Sequence, residues 1–471
     1  MRDFTHKYRT DRNVNTREDR FLDAHIGRAE RMTVISPQEY LRYNCKRGLR
    51  NNDGTGVLVG LTEIGEVHGY IIDEGERIPA PGRLSYRGYD VSEIAKGFQA
   101  DGRFGFEETV YLLLFGTLPT NEELAEFCAL IGEKRPLPTG FTEDMVLRAP
   151  SADIMNKLAR STLVSYSYDD NAEERSVRNI LRQSIELIAR FPAMVAYAFQ
   201  AKRHYFNDES LFIHAPEPGL SSAENFLQMM RADRECSPLE AETLDLALVL
   251  HAEHGGGNNS AFTIHVVSSA ATDTYSAVAA AVGSLKGAKH GGANNRVMVM
   301  MEDIKANVKD WSSEKEVQAY LERILRKEAH DGSGLIYGMG HAVYTVSDPR
   351  AVLLKQKASE LAAEKGRSEE YHLYELIEQL TPAAFRAVKG YDRVIAPNVD
   401  FFSGFVYSML NIASELYTPI FAMSRIAGWC AHLLEEFVSG GRILRPAYKC
   451  VMPRRSYVPI TERDMDAGTL D

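Results

Sequence analysis

The chain has little from which to build a cross-link, a cysteine cage or a membrane anchor. Its 471 residues include only five cysteines, Cys45, Cys128, Cys236, Cys430 and Cys450. They lie far apart, with no C-x-x-C pair and an odd count, so neither a disulfide framework nor a zinc site is expected, and a reducing, cytoplasmic setting fits. No apolar run reaches the ~18 residues that a membrane span needs. The N-terminal text MRDFTHKYRTDRNVNTREDRFLDAHIGRAERM is charged throughout and lacks the apolar centre of a secretion signal, while its acidic residues argue against a transit peptide. A basic excess is missing too: 54 Lys and Arg stand against 65 Asp and Glu, a net charge of -11. That balance opposes a nucleic-acid partner, so any anionic ligand must be met by a local cluster of arginines. There is no internal repeat, no low-complexity tract and no Lys-Ser/Thr-bearing phosphate loop.

What is present is a globular composition, 44% hydrophobic and 25% charged, long enough for two cores. The first ~50 residues are polar and Arg-rich and read as an extension or arm. From Gly56 to Asp90, GVLVGLTEIGEVHGYIID and PAPGRLSYRGYD carry β-branched and aromatic residues cut by Gly and Pro, which predicts a few short strands. Beyond them the period is helical almost to the end, in FEETVYLLLF, NEELAEFCALI, EERSVRNILRQSIELIARF and EAETLDLALVLHAEH. The fold class is therefore mainly α. Asp273 to Leu285 is almost free of charge and rich in Ala, as a helix buried on most faces or packed on a twin subunit would be. Charge density rises between about 296 and 397 and falls again afterwards, which marks an inserted smaller domain. The expected organisation is an extension over 1–55, a large helical domain over 56–295 and 398–471, and a small domain over 296–397.

Four segments place unusual polar residues in apolar helical text. In LHAEHGGGNNSAF, residues 250–262, His251 and His254 are three apart and share a helix face just before Gly255–Gly257 end the helix. They could be a metal pair, although two histidines fall short of a usual ligand count, or a structural helix end. In SLKGAKHGGANNRVM, residues 284–298, His290 sits between glycines at a helix start, where an imidazole tends to stay neutral and could donate to a developing oxyanion; an ordinary turn histidine is the other reading. In IYGMGHAVYTVSDPRA, residues 336–351, His341 follows two glycines, and Arg350 follows the helix-start signal Asp348-Pro349. Arg350 could fork a carboxylate or be a solvated charge. In the last segment, 396–436, Asp400 heads an apolar run as a base with a raised pKa or a mere helix cap. Arg425 lies inside IFAMSRIAGW, where an unpaired guanidinium is costly and needs an anion.

These segments, in this order, resemble the citrate synthase and 2-methylcitrate synthase family. LHAEH, GxxHGGAN, GxGHAV followed by DPR, PNVDFFSG, MSRIAGW and RP at 445–446 match its motifs in turn, as does LSYRGYDVSEIAKG earlier, so the likeness covers roughly 56–450. The resemblance implies a citrate synthase-like fold, a large helical domain with a smaller one that closes over substrate, and an acyltransferase that condenses acetyl-CoA with oxaloacetate and hydrolyses citryl-CoA in the tricarboxylic acid cycle. It implies that Asp400 removes the methyl proton, that His290 hydrogen-bonds the thioester oxygen, and that His341 protonates the ketone oxygen. His254, Arg350, Arg425 and, from the neighbouring subunit of a homodimer, Arg445 would hold oxaloacetate. The CoA ester would run past Ile336, Gly338 and Gly340. No metal and no cofactor is implied.

The chain also departs from the family. Tyr344 and Thr345 stand where many members carry a base for CoA phosphate, a histidine-proline-methionine motif is absent near MVLRAPSADIMNKLARS, and AYKCVMPRR follows Arg445. The nearest alternative is a 2-methylcitrate synthase using propionyl-CoA, since one methylene is worth only ~1–3 kcal/mol in an apolar pocket. Other classes are a metal-dependent hydrolase built on His251, His254 and His290, and an inactive binding protein of the same fold.

Overall fold

The computed structural model describes residues 16–73, 76–341, 343–391 and 394–463. Chain contacts divide it into two compact units, one of 1–60 with 445–471, the other of 61–444. Parts of the expected extension (1–15) and of the expected large domain (464–471) lie outside the described residues.

In the first unit, α1 (Arg17–Thr33) starts with a capping box. The Thr16 hydroxyl accepts from the Asp19 N–H at 3.0 Å, and the Asp19 carboxylate accepts from the Thr16 N–H at 2.9 Å. α2 (Pro37–Arg42) follows. Neither helix buries a residue, and Phe21, Leu22 and Ile26 are exposed, so burial contributes little to α1 and its capping correspondingly more.

The second unit opens with an antiparallel sheet, β1 (Gly65–Asp73), β2 (Glu76–Tyr86) and β3 (Tyr89–Asp90). The expected strands are therefore found from Gly65 onward. Residues 57–61 form none, and Leu58 and Leu61 are exposed, because among the described residues no partner strand lies beside them. Fifteen α-helices follow among the described residues: α3 (Val91–Ala100), α4 (Phe106–Phe115), α5 (Asn121–Lys134), α6 (Ile154–Ser165), α7 (Val177–Asn207), α8 (Ser222–Met230), α9 (Pro238–His251), α10 (Asn259–Ser268), α11 (Thr274–Lys286), α12 (Ala293–Asn307), α13 (Glu314–Leu325), α14 (Pro349–Glu364), α15 (Ser368–Lys389), α16 (Val399–Met409) and α17 (Tyr417–Val438). The mainly α reading holds. None of these helices is long and apolar enough to cross a membrane.

α17 is the axle of this unit. Its residues Met423, Ile426, Trp429 and Cys430 are buried, and it packs on α7, α9, α10, α11 and α4. The charge-poor α11 is buried along Tyr275, Val278, Ala281, Val282 and Leu285 against α6, α10 and α17, so burial within its own chain already explains its composition.

Candidate active site

α9 ends at His251, and His254 lies beyond it, so the two histidines do not share a helix face as their spacing predicts. Tertiary donors take the carbonyls that would have continued the helix. Tyr86 Oη donates to the Val249 carbonyl at 2.9 Å, and the Gly428 N–H to that of Ala252 at 3.2 Å. The close approach requires glycine at 428, where a Cβ would stand 2.6 Å from the Ala252 oxygen.

The turn thus released points His254 into a cleft that also gathers His251, His290, His341, Arg350, Asp400 and Arg425. Two of the separate segments that make it are zipped together by three hydrogen bonds. The Gly338 carbonyl accepts from the Asn398 N–H at 2.8 Å, the Gly340 N–H donates to the Ala396 carbonyl at 2.7 Å, and Asn398 Nδ2 donates to the Gly340 carbonyl at 2.9 Å. Gly338 and Gly340 have φ of 80° and 90°, and a Cβ on Gly338 would lie 2.8 Å from the Phe401 ring.

Asp400 is the second residue of α16, whose N-cap is Asn398: the Asn398 side-chain oxygen accepts from the Asp400 N–H at 3.0 Å. The Asp400 carboxylate is thus relieved of capping. Burial pushes its pKa up to about 6, against the pull of Arg350 and Arg425.

His341 Nδ1 accepts from the N–H groups of Val343 and Tyr344 at 3.0 and 3.1 Å, so the ring proton belongs to Nε2. Burial and the Arg350 charge press its pKa down to about 4, and the ring stacks on Tyr344 with centroids 4.7 Å apart. Tyr344 is buried and the Thr345 hydroxyl donates to the Gly69 carbonyl, so both serve this loop.

His290 lies in the turn before α12, its Nε2 3.3 Å from Ser260 Oγ. That hydroxyl also accepts from Trp429 Nε1 at 3.0 Å and faces Asn258 Oδ1 at 2.8 Å. Its single proton can turn to either acceptor. When it turns to His290, the ring carries its own proton on Nδ1. Burial and Arg425 hold His290 down at about 4, so the imidazole is neutral at pH 7. Burial, more than the expected helix start, is what keeps it so.

The arginines differ. Arg350 already forks an internal partner, with Nε and Nη2 donating to the two Asp348 oxygens at 3.0 and 2.8 Å. Nη1 is the guanidinium nitrogen that Asp348 leaves for the cleft. Arg425 is fully buried and spends only Nε, on the His251 carbonyl at 2.6 Å. Its Nη1 and Nη2 are buried with no hydrogen-bond partner among the described residues, as is His254 Nε2. Two guanidinium donors so placed need an anion, and His254 Nε2 beside them can donate to it when it carries the ring proton.

Arg445 belongs to the other unit and is exposed. Ile336 is buried; Gly340 and His341 border a second depression lined by Leu335, Ile336, Phe385, Val394 and Ile395. Sequence reasoning did not single out Asp348, Ser260 or Asn398 as supports of the site. The Asp-Pro-Arg and Asn-x-Asp capping patterns were the available signals for two of them.

The family model for the C-terminal domain of citrate synthase matches residues 52–447. The chain belongs to the citrate synthase family. The citrate synthase of Haloferax volcanii is 34% identical over 424 residues, 89% of this chain and 99% of its own length. That of Synechocystis is 37% identical over 383 residues, 81% and 88% of the two chains. Family members named 2-methylcitrate synthase match at 32% identity. The structure of the Thermoplasma acidophilum citrate synthase in ternary complex with carboxymethyl coenzyme A and oxaloacetate superposes with a TM-score of 0.71 at 28% identity, covering 89% of this chain and 99% of that one.

Proposed function

We propose that the chain is a citrate synthase that condenses acetyl-CoA with oxaloacetate and hydrolyses the citryl-CoA formed. The observation that carries this reading is the unpaired Nη1 and Nη2 of buried Arg425 beside the orphan Nε2 of His254, in a cleft that also holds a carboxylate with a raised pKa. The first set suits a dianionic keto acid, the second suits carbon acid chemistry.

In this reading oxaloacetate lies with its carboxylates on Arg425, His254 and Arg350. The Asp400 carboxylate takes a methyl proton from acetyl-CoA. The enolate oxygen is stabilised by the N–H that His290 presents when Ser260 donates to its other nitrogen; one such donor is worth ~3 kcal/mol. The enolate carbon attacks the ketone, whose oxygen takes the Nε2 proton of His341. Water then cleaves the thioester to citrate and CoA. In these roles Asp400, His290 and His341 call for no metal and no cofactor.

The CoA ester would pass Ile336, Gly338 and Gly340 toward the second depression. Closure of residues 296–397 over oxaloacetate would shut out water and complete that binding place. Arg445 of the partner subunit of a homodimer would complete the carboxylate grip. The compartment proposed is the cytoplasm.

The test is release of CoA thiol with oxaloacetate and either acetyl-CoA or propionyl-CoA. The reading expects kcat/KM for acetyl-CoA to exceed that for propionyl-CoA by ~10-fold or more. A preference for propionyl-CoA would make the chain a 2-methylcitrate synthase, and no thiol release with either would sink the enzyme reading.

A further inference from the structure

Behind the cleft, on the far side of the turn that carries His254, lies a second histidine cluster. His432 is fully buried, and its Nε2 is 3.1 Å from Glu253 Oε1. His265 Nδ1 is 2.9 Å from Glu436 Oε2. Carboxylates at this pH only accept, so each of these ring nitrogens carries the hydrogen. The other two nitrogens, His265 Nε2 and His432 Nδ1, then face each other 3.2 Å apart as lone pairs. Two lone pairs at that distance repel unless a cation stands between them, either one shared proton or a metal ion.

A shared proton would satisfy the pair by itself, but the surroundings also offer a metal ion further ligands. Glu435 anchors Oε1 on the Glu63 N–H at 2.7 Å and aims Oε2 at the pair, 3.6 Å from His432 Nδ1, where it is buried with no hydrogen-bond partner among the described residues. Thr62 Oγ1 is 3.5 Å from the same nitrogen. A tetrahedral ion with ligand bonds of about 2.0–2.1 Å has its ligand atoms about 3.3–3.4 Å apart. The three separations from His432 Nδ1, 3.2, 3.6 and 3.5 Å, sit at that edge length. The ligand atoms of His265, His432 and Glu435 all lie within 4.8 Å of one another. Three carboxylates, Glu253, Glu435 and Glu436, surround the two imidazoles, with Arg87 and Arg425 farther out as counter-charges. Both histidines are oriented through their distal nitrogen by a carboxylate, as metal-bound histidines commonly are.

We propose that His265 Nε2, His432 Nδ1 and Glu435 Oε2 bind a divalent transition-metal ion, zinc by the character of the donors, with Thr62 Oγ1 or a water as the fourth ligand. The site is structural. It joins the segment before β1, helix α10 and the C-terminal part of α17 around Glu253, the residue next to His254, and so stiffens the rear wall of the cleft. His265 and Glu435 keep 14% and 15% of their side chains exposed, which leaves the ion a way in. The sequence suggests no metal, from its scattered cysteines, the short ligand count at His251 and His254 and the family resemblance; His265 and His432 are 167 residues apart.

The test uses the full chain without a histidine tag, stripped with chelator, given zinc and passed through a desalting column. About one zinc per chain by plasma mass spectrometry, and a rise in Tm on zinc addition, are expected. Cobalt substitution should give the intense visible bands of a tetrahedral site. His265→Gln and Glu435→Gln, checked for folding by circular dichroism, should each lose most of the metal and the Tm response. A wild-type chain that retains no zinc, shows no Tm response and gives only the pale octahedral cobalt spectrum overturns the proposal, as does full metal retention by both variants. Should a variant not fold, the wild-type cobalt spectrum alone decides. None of these readouts depends on turnover.

Discussion

Two groups of histidines stand back to back across Glu253, and their charge states are opposed. Those of the cleft, His254, His290 and His341, are buried beside Arg350 and Arg425, and every one has its pKa pressed down. On the other side, burial pushes His432 down as well, yet the carboxylates of Glu253 and Glu435 outweigh it and hold the ring up at about 9, so that a metal ion at Nδ1 would have to take the place of a proton. The imidazole is the same; the sign of the neighbouring charge decides what it does. A neutral ring can donate a hydrogen bond to a developing oxyanion without first losing a proton, whereas a ring set among carboxylates is suited to a cation.

The largest expected effect falls on the one acid among the cleft's bases. Asp400→Asn should lower kcat by ~10²–10⁴-fold, the usual reach of a general base, while calorimetry finds oxaloacetate binding nearly unchanged. Near-normal turnover would overturn the mechanism. The same variant should raise Tm at pH 7. Folded Asp400 holds its proton more tightly than the unfolded residue, so a cost in stability builds as pH rises from the ordinary carboxylate range to about 6 and stands in full at pH 7, and the amide removes it.

Next comes the fork. Arg425→Gln should weaken oxaloacetate binding ~10²-fold, since charge-assisted hydrogen bonds are worth ~1.5–3 kcal/mol each, and should not lower the Tm of the ligand-free protein. A fall in ligand-free Tm with unchanged oxaloacetate affinity would mean that Arg425 serves the fold and not the substrate.

A pH profile sharpens the contrast between the cleft's groups. Turnover needs the Asp400 carboxylate, so kcat/KM for acetyl-CoA should fall as pH drops through about 6 with unit slope, while His290 and His341 stay neutral down to about 4. An acid limb near 4 would remove Asp400 from the base role. Ser260→Ala should cost less, ~10-fold in kcat with KM for oxaloacetate unchanged, because it frees the His290 ring without removing it. Smallest of all, chelation should leave kcat within about twofold below the unfolding temperature, since the ion proposed behind Glu253 touches no reacting atom.

Much of this was open to reading along the chain. The helical period, the helix start at Asp348-Pro349 and the odd placement of Arg425 in apolar text are local features, and local features survive in one dimension, although the cap of α16 is Asn398 and not Asp400. The motif order carried the family and the residues of the cleft, His254, His290, His341, Arg350, Asp400 and Arg425, because each is embedded in its own short signature. What the chain alone could not disclose depends on partners far away in sequence. His251 and His254 were placed on one helix face by spacing, but Tyr86 and Gly428, distant residues, claim the carbonyls and end the helix between them. Arg350 reads as a fork for substrate until Asp348 is seen to occupy two of its nitrogens. Even the pairing of His265 with His432 leaves no trace in spacing, because burial and charge act through space, and only the fold brings an imidazole, a carboxylate and a guanidinium to the distances at which they change one another.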